Sequence, residues 1–140
     1  MKRLLNTVFF CLLGSIIFAQ SPIGIWKNID DDDGKAKSHI EIYQEDGKLY
    51  GKVIKLLPAA TITTCIKCKG EKKDAPILDM IILRDLVENG EKWEDGRILD
   101  PKKGKEYRCN IALEDENTLK IRGFIGNPVF GRTQYWYRVI

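Results

Sequence analysis

The stretch of sequence that decides the fold is residues 105–124, KEYRCNIALEDENTLKIRGF. From 106 to 113 the odd positions hold Tyr, Cys, Ile and Leu, while the even positions hold Glu, Arg, Asn and Ala. Residues 118–124 repeat this alternation, and the intervening Asp115-Glu116-Asn117 is a tight-turn sequence. Because successive side chains of a strand point to opposite faces, this alternation gives each strand one apolar face and one polar face. The segment therefore predicts a β-hairpin with one buried face.

The same pattern of short β-forming runs and turn residues continues in both directions from this hairpin. No stretch shows the 3.6-residue apolar period of a long helix. Short turns such as Glu45-Asp46-Gly47 join antiparallel neighbours, and Asp95-Gly96 is a further turn signal. We predict eight strands at residues 23–27, 38–44, 48–56, 80–86, 92–94 extending toward 97–99, 105–113, 118–124 and 133–139.

An antiparallel sheet with one apolar face must bury that face. Since no amphipathic helix is available to cover it, the sheet is expected to curl on itself. The predicted fold is all-β, an eight-stranded up-and-down antiparallel barrel, which is either filled by side chains or holds one small ligand. A two-sheet β-sandwich is the alternative.

The N-terminus has the pattern of a secretory signal peptide. Lys2 and Arg3 precede an apolar run over residues 4–18, and Ala19 stands before polar Gln20 and Ser21. This predicts a signal peptide over residues 1–19 and a single domain over residues 20–140, exported to the periplasm or the extracellular space. An uncleaved membrane anchor is the alternative; after cleavage no stable membrane insertion is expected.

The charge balance of the domain gives no reason to expect a nucleic-acid partner. The whole chain carries 23 Lys and Arg against 20 Asp and Glu. Residues 1–19 contain two bases and no acid, so that the remaining domain is close to neutral.

Cys65 and Cys68 lie within the one long irregular stretch, residues 58–77, which also carries several lysines. Irregular segments of this length are usually either functional or fixed to the domain by a cross-link or by packing. A disulfide between Cys65 and Cys68 is the favoured interpretation for an exported protein. Redox exchange and a metal site completed by Cys109 and His39 are the alternatives, although no helical pattern follows the pair as it does in thioredoxin-like enzymes.

The sequence offers no recognisable catalytic set. His39 is the single histidine, and no nucleophile elbow, zinc-protease motif or phosphate loop is present. The Asp30-Asp31-Asp32-Asp33-Gly34 run fails the register of a calcium-binding loop and is interpreted as a solvated turn. We therefore predict a protein that is not an enzyme and has no cofactor and no metal.

The last strand carries the most suggestive polar residues. Its period of two places Arg132, Gln134, Trp136 and Arg138 on one face. One interpretation is structural, with an arginine packed on an aromatic ring. The other is that these residues, with Arg122, contact a ligand whose carboxylate is held by an arginine.

Two sets of residues resemble known families. Gly24-Ile25-Trp26 with Arg138 resembles the lipocalin and calycin signature, in which a late arginine covers the first-strand tryptophan at the closed end of an eight-stranded barrel. Over the whole domain, the chain resembles the bacterial exported domain-of-unknown-function family 2147. The blocks that carry this likeness are residues 24–26, 46–53, 95–101, 104–107, 119–126 and 131–136. The resemblance implies a lipocalin-like barrel in the bacterial envelope, closed by Trp26 and Arg138, and no established activity.

Three functions are compatible with these residues. The first is an exported barrel that binds a small apolar or amphipathic ligand such as a fatty acid. The second is an envelope interaction or stress protein with a solid barrel, whose contact surface is the lysine-rich loop at residues 67–73. The third is a thiol oxidoreductase that uses Cys65 and Cys68. The sequence does not identify a protein partner.

Overall fold

Eight antiparallel strands form a closed barrel in the computed structural model, which describes residue 14 and residues 20–140. Apart from residue 14, the predicted signal peptide lies outside the described residues. The strands are β1 (Gly24–Ile29), β2 (Ala36–Glu45), β3 (Lys48–Leu56), β4 (Ile81–Asn89), β5 (Lys92–Asp100), β6 (Lys105–Asp115), β7 (Thr118–Phe124) and β8 (Gly131–Arg138).

Each strand pairs with its neighbours in the sequence, and β1 pairs with β8 to close the circle. The closing ladder joins Trp26 to Arg138 and Lys27 to Tyr137. The predicted eight-stranded up-and-down barrel is confirmed. The alternative of a β-sandwich is wrong, because the first and last strands pair and leave a single continuous sheet.

The two ends of the barrel differ in their connections. At one end, which we call the closed end, short turns join β2 to β3, β4 to β5 and β6 to β7. At the other, the open end, the connections are residues 30–35, 57–80, 101–104 and 125–130. Every longer connection therefore lies at the open end.

β5 is the strand that the sequence predicted least well. The prediction placed a turn at Asp95-Gly96, whereas β5 runs unbroken from Lys92 to Asp100. Asp95 has a positive φ of 61°, and the register with β6 shifts between Trp93 and Gly96, so that these residues form a bulge. Gly96 is buried against the side chain of Leu86, a position where a Cβ atom would collide with the core.

The core fills the closed half of the barrel. Cys109, Ile111, Leu119 and Ile121, from the predicted dry faces of β6 and β7, are all buried. Large side chains from the other strands meet them, and the fully buried ones include Trp26, Ile40, Ile42, Leu49, Leu83, Leu86 and Trp136. This half of the barrel is packed by its own side chains.

The connection at residues 57–80 is pinned at its middle. Cys65 and Cys68 form a disulfide with a Cα–Cα distance of 5.3 Å, which confirms the predicted pairing. An isolated bridge joins Thr64 to Pro76, and a short 3-10 helix spans Gly70–Lys72. Both cysteines and Ile77 belong to the hydrophobic cluster. The loop is therefore part of the packed structure at the open end.

Candidate ligand-binding cavity

A cavity of about 500 Å³ occupies the open half of the barrel. Trp136 lies at its inner limit, and the connections of the open end surround its mouth. The volume falls in the range of about 300–1,000 Å³ that is usual for small-molecule sites. The barrel is therefore solid at one end and hollow at the other.

Apolar side chains from most of the strands line the wall of the cavity. The lining residues of this kind include Val53, Leu56, Ile82, Ile98, Leu99, Ile121 and Phe124. Ile62 and Ile77 from the connection at 57–80 add to them near the mouth. A wall of this composition favours the apolar body of a ligand.

β8 supplies part of the polar lining. Arg132, Gln134 and Trp136 line the cavity at successive inward positions, from the mouth to the floor. Trp136 is fully buried, and its Nε1 atom has no hydrogen-bond partner among the described residues. Buried N–H groups are normally paired, so this unpaired donor on a residue that lines the cavity is unusual.

Ion pairs connect three chain segments at the mouth. Arg132 Nε lies 2.7 Å from the Asp31 carboxylate, and its Nη2 lies 3.6 Å from Asp32. Lys102 Nζ, from the β5–β6 turn, donates to Asp32 at 3.2 Å and lies 3.9 Å from Asp30. The hydrogen bond and the charge of Lys102 lower the pKa of Asp32. Arg132 therefore already has carboxylate partners, and the run of four aspartates holds the rim together.

Two of the predicted ligand-binding arginines do not line the cavity. Arg122 lies on the outer face of β7, since Ile121 and Gly123 occupy the inward positions. Its guanidinium donates to the Pro128 carbonyl at 2.9 and 3.0 Å and to Thr133 Oγ1 at 3.0 Å. Arg122 therefore holds the β7–β8 connection from outside, as the period of two along β7 requires.

The Arg138 side chain makes its contacts at the closed end of the barrel. Its guanidinium carbon lies 4.3 Å from the centre of the Trp26 ring. The same group donates to the carbonyls of Ser21, Ile23 and Glu116. The structure thus brings Trp26 and Arg138 together as the resemblance implies, and leaves Arg138 far from the cavity mouth.

The cysteines have no exposed thiol chemistry. Cys65 and Cys68 are both buried and joined to each other, and only a short 3-10 helix follows them. Cys109 is free and buried in the barrel, and burial raises the pKa of its thiol to about 12. A reactive cysteine needs a low pKa and access to solvent, and none of these three meets both conditions.

The metal site considered for Cys109 and His39 is not assembled. His39 lies on the outer face of β2 opposite Lys27 and Lys55, and burial together with these lysines lowers its pKa. Cys109 faces the barrel interior. Within residues 14 and 20–140 no three His, Cys, Asp or Glu side chains are placed to hold a metal ion. In the same part of the chain no helix has the length and hydrophobicity to cross a bilayer.

Several lining residues were not predicted from the sequence. Asp31 and Asp32 were interpreted as a solvated turn, and Ile62, Ile77 and Phe130 as loop residues. The run of four acidic residues was a visible signal, but the basic partners of Asp31 and Asp32 are 70 or more positions away in the chain. Only the closure of the barrel brings them together.

Comparisons with known proteins agree with this architecture. The profile of a family described as "Uncharacterized protein conserved in bacteria (DUF2147)" matches residues 24–138. Among solved structures, the chain is similar to one described as "Protein HP1028 from the human pathogen Helicobacter pylori belongs to the lipocalin family". The TM-score is 0.77 at 18% identity, over 87% of this chain and 85% of that chain, so the likeness concerns the fold. No curated protein matches the sequence.

Proposed function

The chain belongs to the DUF2147 family of bacterial proteins, and we propose that it is an exported lipocalin-like barrel that binds a small amphipathic molecule such as a fatty acid. The cavity of about 500 Å³ carries this proposal. Eight-stranded barrels of the lipocalin type can hold one small ligand in such a space. The role is binding without catalysis.

The lining indicates how the ligand lies. The apolar body contacts the wall formed by residues such as Val53 and Ile121, and an acceptor oxygen accepts a hydrogen bond from Trp136 Nε1 at the floor. At the mouth, Asp31 and Asp32 already neutralise Arg132, whereas Lys103, which also lines the cavity, makes no ion pair with any described residue. The lining therefore offers a ligand a neutral donor at the floor and a cationic group at the mouth.

Ligand titration of matched variants tests the proposal. Displacement of a fluorescent fatty acid gives the affinity, and native mass spectrometry gives the stoichiometry. Gly123 lines the cavity, and a Cβ atom there would meet only Ile98 at an ordinary 3.9 Å. Gly123→Leu is expected to fold and to weaken uptake by narrowing the cavity. Trp136→Phe removes the donor and is expected to weaken binding by about 2- to 10-fold.

Trp93→Phe is the control for Trp136→Phe, because Trp93 is partly buried but does not line the cavity. We expect parental affinity from it. The binding proposal is wrong if the parent protein takes up no probe, or if Gly123→Leu folds and binds as well as the parent.

Export is supported by the buried disulfide, because such bonds persist in oxidising compartments. The intact mass of protein recovered from fractionated cells tests it. We expect the mass of residues 20–140 in the envelope or medium. A chain that retains Met1 in the cytoplasmic fraction would contradict export without affecting the binding proposal.

The two other functions have less support. Redox exchange requires an accessible thiolate, whereas both sulfur atoms of the pair are buried. A fully solid barrel does not fit the hollow open half. The lysine-rich loop at residues 67–73 does lie at the open end, where the Lys67 carbonyl packs on Gly104 of the β5–β6 turn.

A further inference from the structure

Four uncharged polar side chains of the cavity lining lie together where β1 meets β8. They are Asn28 of β1, Ser38 of β2, and Gln134 and Trp136 of β8, and all four line the cavity. We call these four residues the polar cluster. Its chemistry differs from that of the apolar side chains that form much of the wall.

The strand ladders place the members of the polar cluster side by side. Asn28 pairs directly with Ser38 between β1 and β2. The ladder between β1 and β8 ends one residue before Asn28 and one residue after Trp136, so that these two residues come next on the two strands. Gln134 lies two positions from Trp136 on the same inward face of β8. The cluster is therefore assembled from three neighbouring strands of the closed barrel.

No side chain of the polar cluster is paired within the described part of the protein. The Asn28 and Gln134 amides and the Ser38 hydroxyl make no hydrogen bond with any described residue, and neither does Trp136 Nε1. Trp136 is fully buried, and Ser38 is only 8% exposed. Buried polar groups are normally paired, because an unpaired one costs the free energy of its removal from water. The cavity thus contains donors and acceptors that these residues do not satisfy among themselves.

The donors and acceptors of the polar cluster indicate the kind of group that completes it. An indole N–H only donates, whereas a hydroxyl and the two carboxamides both donate and accept. A hydroxyl or a carboxamide on a ligand has the same dual character. A carboxylate only accepts, and the cluster holds no positive charge to compensate for its removal from water. The cluster therefore favours an uncharged group that both donates and accepts.

We propose that the cavity selects an apolar molecule with an uncharged hydroxyl or carboxamide group at its inner end, held by the polar cluster. This inference rests on the proposed binding function and names the group that distinguishes the ligand from a plain fatty acid. Trp136 lies at the inner limit of the cavity, so the inner end of an extended chain reaches the cluster. A carboxylate at the other end of such a chain lies at the mouth, where Lys103 makes no ion pair with any described residue.

Displacement of a fluorescent fatty acid by three matched probes tests this selectivity. Dodecanoic acid ends in a methyl group, ω-hydroxydodecanoic acid in a hydroxyl group and dodecanedioic acid in a second carboxylate. We expect the parent to bind the hydroxy acid about tenfold more tightly than dodecanoic acid, and the diacid no more tightly than dodecanoic acid. A cavity with an apolar inner end would reverse the first ranking, because burying an unpaired hydroxyl is unfavourable.

Two variants remove a member of the polar cluster on either side of the β1–β8 junction. Asn28→Leu and Gln134→Leu each replace a carboxamide with an apolar side chain. Each is expected to weaken binding of the hydroxy acid about fivefold, while dodecanoic acid binds as tightly as before or more tightly. A variant that is merely damaged would lose affinity for both probes alike.

Each variant has a control with the same substitution outside the cavity. Asn110 lies on the outer face of β6, and Gln44 is exposed near the end of β2. Neither residue lines the cavity. Asn110→Leu and Gln44→Leu are expected to keep the parental ratio of the two affinities. Circular dichroism establishes that each variant is folded, and the ranking of the probes on the parent decides the question even if neither cavity variant folds.

Two results would overturn the inference and leave the binding function intact. The first is a parent that binds dodecanoic acid at least as tightly as the hydroxy acid, which would mean that water alone completes the polar cluster. The second is a parental preference for the hydroxy acid in both folded cavity variants, which would place the hydroxyl elsewhere. If the parent takes up none of the three probes, the proposed function fails and this inference fails with it.

Discussion

At the scale of single residues, Arg138 connects three parts of the chain at the closed end. Its guanidinium lies over Trp26 of β1 and donates to carbonyls of the segment before β1 and of the β6–β7 turn. Trp26 is fully buried, and its Nε1 donates to the Pro22 carbonyl at 2.8 Å. The first and last strands are therefore joined by side chains as well as by their short ladder.

Replacing Arg138 with Ala is expected to lower the free energy of unfolding by about 2–3 kcal/mol, from the lost cation–π contact and charged hydrogen bonds. Arg138→Lys should recover only part of this, because a compact ammonium group cannot reach three carbonyls in a fork. Urea unfolding measures both effects.

Arg108 supplies the control for Arg138. It lies 5.5 Å from the Phe124 ring and makes one long hydrogen bond of 3.5 Å, and it is exposed. Arg108→Ala should change stability by less than about 1 kcal/mol. Equal effects of the two alanine variants would show that Arg138 has no special role in closure.

Cys109 makes the stability of the protein fall at alkaline pH. Burial raises the pKa of its thiol from 9.0 to about 12. Above pH 9 the unfolded chain releases this proton first, so the stability is fully present below pH 9 and decreases as the pH rises toward 12. The loss is about 2 kcal/mol by pH 10.5.

The test compares the pH dependence of unfolding for the parent and Cys109→Ala between pH 7 and 10.5. The difference between the two curves isolates the thiol from lysines and tyrosines, which titrate equally in both proteins. We expect the variant to lose about 2 kcal/mol less than the parent over this range. Parallel curves would mean that the thiol is not protected by burial.

At the scale of elements, the irregular connection at residues 57–80 is attached to the barrel at several points. Its disulfide, its bridge between Thr64 and Pro76 and its buried Ile77 attach it to the open end. This connection packs on Gly104 of the β5–β6 turn, where a Cβ atom would overlap the Lys67 carbonyl. Only glycine, which has no side chain, allows the two backbones to come this close.

We expect Gly104→Ala to separate the loop from the turn. Gly90→Ala is the control, because Gly90 has the same φ of +64° but no heavy atom within 4 Å of the added methyl group. Gly90→Ala should cost about 1 kcal/mol from backbone strain alone. Gly104→Ala should cost about 1–3 kcal/mol more, from the steric clash.

Urea unfolding measures both glycine variants, and hydrogen exchange locates the change. Faster exchange at residues 57–80 is expected only in Gly104→Ala. Equal destabilisation by the two substitutions would contradict a packed contact at Gly104.

At the scale of the whole molecule, ion pairs between residues that are distant in the sequence connect the segments around the cavity mouth. Asp31 and Asp32 follow β1, whereas Lys102 follows β5 and Arg132 begins β8. Each pair is exposed and adds little stability by itself. Together the pairs restrain the turn at residues 30–34 over the cavity.

Arg132→Gln is expected to speed amide hydrogen exchange in residues 30–35 while changing global stability by less than about 1 kcal/mol. Salt at 1 M should have a similar effect on the parent, because it screens exposed pairs. Since Lys102 lowers the pKa of Asp32, the ion pairs of Asp32 are present above its ordinary value of 3.8 and are lost as the pH falls through the lowered pKa.

Lys120→Gln is the control, because its pair with Glu114, at 3.8 Å, lies at the closed end. It should leave exchange at residues 30–35 unchanged. If Arg132→Gln also leaves that exchange unchanged, the mouth is held by backbone contacts and not by charge.

The sequence by itself determined the strands, their antiparallel order and the face that each one buries. A period of two and a two- or three-residue turn are local properties, so residues 105–124 specify a hairpin without reference to the rest of the chain. The contact between Trp26 and Arg138 could be predicted from the family resemblance. The disulfide could be predicted because its cysteines are three positions apart.

Only the tertiary structure decided what each end of the barrel does. Whether a barrel is packed or hollow depends on how side chains from all eight strands meet, and Trp26 and Trp136 fill one half while the other keeps a cavity. The Asp95 bulge was misread as a turn because a positive φ serves both structures. The period of two already places Arg122 on the outer face of β7, but only the closed barrel brings Arg132 to the cavity mouth and beside Asp31 and Asp32.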